Sequence, residues 1–123
     1  MKFTLPFPPS VNTSYQINRG KRVKGKKVLE WESLASIALN KQNILPVQER
    51  CIIIYSLSTP DNRIRDCGNY EKTLTDFLVS KGILKDDNRR YIKGILIQWN
   101  DKPGKIVDIY INHNIKYFDN EHV

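Results

Sequence analysis

Asp66, Lys72 and Asp87 are the residues of this chain whose types and spacing suit chemistry. They lie in one stretch, residues 59–90, TPDNRIRDCGNYEKTLTDFLVSKGILKDDNRR. Hard divalent cations such as Mg²⁺ take oxygen ligands, and one or two carboxylates with waters and phosphates are enough. A lysine beside such an ion can stabilise charge on a phosphate while an activated water attacks the phosphodiester. The same residues also have purely structural uses. An aspartate before a helix caps it, and the Asp86-Asp87 pair suits a turn. Spacing alone leaves both readings open.

Three elements must position these side chains. Asp66 ends a loop, Lys72 sits early in a helix over residues 68–81, and Asp87 belongs to a short connection before the next strand. Leu74, Phe77 and Leu78 give that helix its core stripe, with Tyr70 one turn earlier and Gly82 as its stop. Residues 50–58, RCIIIYSLS, are dense in β-branched and apolar types. They read as a central strand buried on both faces, ended by Pro60 and Asp61. Residues 91–99 and 106–112 read as the two strands of a hairpin around the turn NDKPGK. Upstream, residues 2–7 alternate as a first strand, and Pro6 inside it marks an edge or a strand end. Val28, Trp31, Leu34, Ala35, Ala38 and Leu39 recur at helical spacing over residues 28–43. The order β-α-β-α-β-β predicts an α+β (mixed α/β) fold in two layers, one mixed sheet with two helices packed on it, as a single domain over 1–123.

The chain has 123 residues, 40% of them hydrophobic and 27% charged, and carries a net charge of +7. That excess favours a polyanionic partner, either nucleic acid or an acidic membrane surface. Residues 10–27 concentrate it: Arg19, Lys21, Arg22, Lys24, Lys26 and Lys27 occur with no acid among them. This polar loop reads as a phosphate-contacting arm or as a solvated loop. Tyr15 beside it is placed to stack on a base or to pack, and Arg63 and Arg65 add further candidate contacts. Cys51 and Cys67 make no metal pattern, and Cys51 reads as a buried thiol. The start, MKFTLPFPPS, has no apolar signal region. No run approaches the ~20 apolar residues of a membrane span. A cytoplasmic protein with no membrane partner is expected.

Three stretches together resemble one family. LPFPPSVNTSY followed by NRGKR is similar to an L-P-x-P-P-S-x-N start with a basic segment. PDNRIRDCGNYEK is similar to the signature P-D-x-x-x-R-D-x-D-N-x-x-K, and LVSKGILKDD to an L-x-x-x-G-x-x-x-D-D turn. These are marks of the RusA-family Holliday junction resolvases, phage-borne endodeoxyribonucleases that cut four-way DNA junctions. The resemblance implies a Mg²⁺-dependent homodimer, with Mn²⁺ as a substitute ion, acting on branched DNA in recombination and repair. It implies a phage or prophage origin in a bacterial cytoplasm. It places Asp66, Lys72 and Asp87 as catalytic residues, with Asp66 and Asp87 on the metal. Asn69 matches the signature asparagine and joins Tyr15, Arg19, Lys21, Arg22, Lys24, Arg63 and Arg65 as candidate DNA contacts.

One position departs. Gly68 stands where the family has its second signature aspartate. Glu71, three residues on, either supplies the missing carboxylate from a longer side chain or is a solvated helix residue. Two functions follow. The chain is a working resolvase that tolerates Gly68, or it is catalytically weakened or inactive and binds branched DNA or a host protein.

Overall fold

The computed structural model describes residues 1–11, 15–18 and 20–113. Arg19 and the tail after His113 lie outside the described residues, as do the side chains of Tyr15, Lys21 and Arg22. The elements are β1 (Lys2–Pro6), β2 (Tyr15–Asn18), β3 (Lys21–Lys24), α1 (Lys26–Lys41), β4 (Cys51–Thr59), α2 (Gly68–Ser80), β5 (Ile92–Pro103) and β6 (Ile106–Asn112).

Strand β4 is the spine. Its odd positions, Cys51, Ile53, Tyr55 and Leu57, are fully buried, as period-two alternation requires of one covered face. It pairs antiparallel with β6 and parallel with β5, in a sheet ordered β1-β6-β4-β5. Parallel neighbours need a crossover, and α2 supplies it between β4 and β5. Trp31 and Ala35 of α1 and Leu74 and Phe77 of α2 join the same core cluster as those strand residues. The Trp31 ring meets Phe77 edge-on, centroids 5.0 Å apart. The result is the two-layer mixed-sheet α+β architecture that the element order predicts.

Pro6 marks both an edge and a strand end, since it ends β1 and among the described residues β1 pairs only with β6. Two side chains cover the strand's free side: the Thr4 amide donates to Gln42 Oε1 at 2.8 Å, Gln42 Nε2 donates back to the Thr4 carbonyl at 2.7 Å, and Trp31 Nε1 donates to the Pro6 carbonyl at 2.9 Å. Those contacts blunt an otherwise open strand edge.

Three expectations need correction. Residues 10–27 are more than a loop, because β2 and β3 form an antiparallel ribbon reversing between Asn18 and Lys21. Gly20, at φ 76°, supplies the left-handed backbone of the reversal. Residues 91–99 and 106–112 do not pair as a hairpin: β4 lies between β5 and β6. The connection crosses the end of β4, where the Gly104 amide donates to the Thr59 carbonyl at 3.0 Å. Gly104, at φ 155°, takes a backbone conformation there that residues with a Cβ rarely adopt, and it packs against Ser58. Finally, β4 is fully covered on one face only; Ile52 and Ile54 are half-buried on the other.

Candidate active site

Pro60 and Asp61 break strand β4, as their backbone restrictions dictate, and the chain then folds tightly over residues 61–67. Asp61 organises the turn. Its carboxylate accepts the Arg63 amide at 3.0 Å, Arg63 Nε at 3.2 Å, Arg65 Nε at 3.2 Å and Arg65 Nη2 at 2.6 Å. The Arg65 hydrogen bonds, then that from the Arg63 amide, hold the Asp61 carboxyl well below the usual carboxylate range. A carboxyl depressed in this way contributes fully above its unfolded value and loses the contribution only as pH falls below it. From about pH 5 upward the clasp is therefore closed. Arg65 Nη1 also donates to the Tyr70 hydroxyl at 3.0 Å. Tyr70 is anchored in turn by the rings of Phe7, 4.9 Å away, and Trp99, 6.1 Å away. The loop is thus fastened to a buried aromatic floor.

Asp66 follows directly. Its carbonyl accepts the Asn69 amide at 3.1 Å as α2 begins, but the helix has no side-chain cap. Its exposed carboxylate makes no hydrogen bond or ion pair among the described residues, so it is not consumed as a cap. It stands at the positive end of the helix dipole, where negative charge is favoured. Gly68 opens the helix, and a Cβ added there would meet nothing within 4 Å. Asn69 is half-buried.

One turn further, Lys72 projects its ammonium to 3.2 Å from Asp76 Oδ1 and 3.9 Å from Asp87 Oδ2. Asp87 arrives there because the chain folds back onto α2. Gly82, at φ 75°, ends the helix, and the amides of Ile83 and Leu84 donate to the Leu78 carbonyl at 3.0 and 3.3 Å. Burial of Ile83 and Leu84 fixes this return. Within the acid pair the work is divided. Asp86 serves the turn, accepting the Asp87 amide at 2.8 Å and Asn88 Nδ2 at 3.2 Å. That leaves the carboxylate of Asp87 to face Lys72.

The structure therefore brings Lys72 and Asp87 together. Among the described residues no hydrogen bond or ion pair joins Asp66 to either, and no group of three metal-binding side chains is preassembled. Asp76 was not singled out from the sequence. Its place four residues after Lys72 on a helix was the available signal. Glu71 is half-buried, and its Oε1 accepts from Thr75 Oγ1 at 3.2 Å, one turn toward the C-terminus and away from Gly68. Thr75 Oγ1 lies 2.8 Å from the hydroxyl of Tyr55. With the Thr75 proton directed at Glu71, Tyr55 is the donor in that bond. Burial pushes the Tyr55 phenol far above its usual range, the Thr75 hydrogen bond opposes this, and the charge of Glu71 adds to it. Tyr55→Phe should cost about 1 kcal/mol. Thermal melting should show the midpoint falling by about 4 °C; an unchanged midpoint would mean that the hydroxyl contributes nothing.

Lys27, Arg63, Arg65 and Lys105 line a cleft of about 670 Å³ with Trp31 and Tyr70 among its walls. Lys24, at the end of β3, is ion-paired with Glu32 of α1 at 3.0 Å, which ties the ribbon to the helix. No helix among the described residues is long and apolar enough to cross a membrane.

A small α+β domain that sets a lysine between carboxylates and also carries a cation-lined cleft has the equipment of proteins that act on phosphodiesters. Comparison with known proteins makes the class specific. A family model described as Endodeoxyribonuclease RusA matches residues 6–110. The chain belongs to the RusA family. The crossover junction endodeoxyribonuclease rusA of Enterobacteria phage HK97 is 32% identical over 116 residues, covering 88% of this chain and 94% of that protein. The crossover junction endodeoxyribonuclease RusA of Escherichia coli strain K12 is 33% identical over 85 residues, covering 68% and 71%.

Proposed function

We propose that this chain is a Mg²⁺-dependent, structure-selective endodeoxyribonuclease that resolves four-way DNA junctions as a homodimer. The observation that carries the reading is the Lys72 ammonium held between Asp76 and Asp87, on the helix whose first turn follows Asp66, in a chain matched by the family from residue 6 to 110. The donor set fits a hard cation. Asp66 and Asp87 offer exposed carboxylate oxygens that neither the helix cap nor the turn consumes, and two such groups suffice when phosphate and water complete the shell. Bound there, Mg²⁺ supplies Lewis acidity toward a phosphodiester. Lys72 directs positive charge at the phosphoryl oxygens, where charge develops during cleavage. Asp76, within hydrogen-bond distance, holds that ammonium in place.

A symmetric two-strand cut needs two sites related by a two-fold axis, which an isologous dimer provides. The open face of the sheet suits that role. Ile54 sits in register between Leu96 and Tyr110, and the last two are partly exposed. The test is a synthetic four-way junction incubated with Mg²⁺ or Mn²⁺. Paired nicks at symmetric positions are expected, and binding without nicking would refute the enzymatic reading. A specific observation supports a second reading: Gly68 contributes no side chain where the family signature has a carboxylate. In that reading the protein binds branched DNA, or a host protein, and cuts poorly. A gel shift on branched against linear duplex separates these two partners.

The ribbon β2–β3 is the proposed phosphate track. Substituting Lys21, Arg22 and Lys24 together with glutamine should flatten the dependence of log affinity on log salt. The slope falls by about 0.9 for every phosphate the protein no longer neutralises. Lys24 should contribute least, because Glu32 already compensates its charge. An unchanged slope would remove the ribbon from the interface.

A further inference from the structure

Ile64 is the most exposed large hydrophobic residue described, at 102% of its reference area. Single exposed apolar residues are common and usually call for no explanation. This one differs in how it is held. Its two neighbours, Arg63 and Arg65, are both clasped by the carboxylate of Asp61. Arg65 is fastened in turn to Tyr70, in the aromatic floor. The clasp turns residues 61–65 into a stiff knuckle, with an isoleucine at its tip and an arginine on each side. Asp66, a proposed metal ligand, is two residues away. Ile64, Arg63 and Arg65 also line a second cleft with Trp99 and Asp101.

An apolar tip flanked by cations matches what a base-paired stack offers at a break in its continuity. The arginines meet phosphates, and the side chain between them enters the gap between base steps. Proteins that deform DNA use isoleucine and similar wedges in this way. Opening a step in continuous duplex costs stacking, whereas unstacking is easiest where pairing is already interrupted. A rigid tip loses little conformational freedom on insertion, so its contact distinguishes the branch point from plain duplex.

We infer that Ile64 is a specificity-determining wedge that inserts into the base stack at the branch point of a DNA junction. The inference rests on the proposed function, but its test separates the two. Four-way junctions carrying 2-aminopurine at the branch point, and linear duplexes with the same label, are titrated in EDTA with wild type, Ile64→Ser and Ile64→Met. Wild type should raise the fluorescence of the junction and not of the duplex. Ile64→Ser should abolish the rise and lose about tenfold in junction affinity with duplex affinity unchanged, and Ile64→Met should retain both. Because the side chain touches so little of the fold, all three should melt alike. A selective wild type matched by Ile64→Ser in signal and affinity overturns the wedge alone. A wild type that binds junction and duplex equally, with no fluorescence rise, overturns the wedge and the resolvase reading together.

Discussion

Gly68→Asp should cut a four-way junction roughly tenfold faster than wild type at limiting Mg²⁺, with the gap closing as Mg²⁺ is raised. The physical ground is ligand charge. A third carboxylate at the start of α2 strengthens a hard-cation site, and a tenfold gain corresponds to about 1.4 kcal/mol. The backbone accepts the change, because a Cβ at Gly68 would meet nothing within 4 Å and the residue is not in the left-handed region. An acid in the first helical turn also favours the helix dipole by about 0.3–1 kcal/mol, so the variant should melt slightly higher without metal. Gly68→Asn separates the two effects: it adds a side chain of similar size without the charge. Faster cleavage by the aspartate variant alone assigns the gain to metal binding. Equal cleavage by all three proteins would show that the site is complete without position 68, and a gain by asparagine as well would assign the effect to helix order.

Much of this was legible in the residues, and the failures have physical reasons. Apolar spacing at Leu74, Phe77 and Leu78 placed α2, because a buried helix face must repeat at 3.6 residues. The run from Cys51 to Leu57 placed β4. The ribbon β2–β3 escaped because each strand has only four residues and the pair holds few apolar ones, Tyr15, Ile17 and Val23, too short a pattern to follow. The false hairpin came from local turn chemistry. Asn100 to Lys105 looks like a tight reversal, but β4 offered β5 a parallel partner and β6 an antiparallel one, so both strands pair with the spine instead of each other. Pairing between distant segments has no local signature, and Gly104 marks the crossing only once its closeness to Ser58 is seen. The division of labour between Asp86 and Asp87 and the pairing of Lys72 with Asp87 likewise depend on how the chain returns to α2.

Replacing Lys72 by alanine should lower junction cleavage about 10²–10³-fold, the usual loss on removing one charge-stabilising group from a transition state. Junction affinity should change little, since the chain has many other cations and a single phosphate interaction moves the salt slope by less than one. Folding should be nearly unaffected. The Lys72 side chain is 51% exposed, and its partners Asp76 and Asp87 are 34% and 48% exposed, so solvent screens both ion pairs. Such pairs contribute about 0–1 kcal/mol. Asp87→Asn should show a comparable loss of cleavage with a different signature. It removes a proposed metal ligand while keeping the side-chain shape, so added Mg²⁺ should recover part of its rate. No concentration of Mg²⁺ should recover Lys72→Ala, whose missing charge acts on the phosphate. Lys72→Arg should recover little, because a planar guanidinium does not occupy the point between two carboxylates that an ammonium does. Cleavage by Lys72→Ala within about threefold of wild type would be far below the loss expected of a transition-state contact. The lysine would then be an ordinary surface ion pair, and the chemistry would have to be carried elsewhere on the chain.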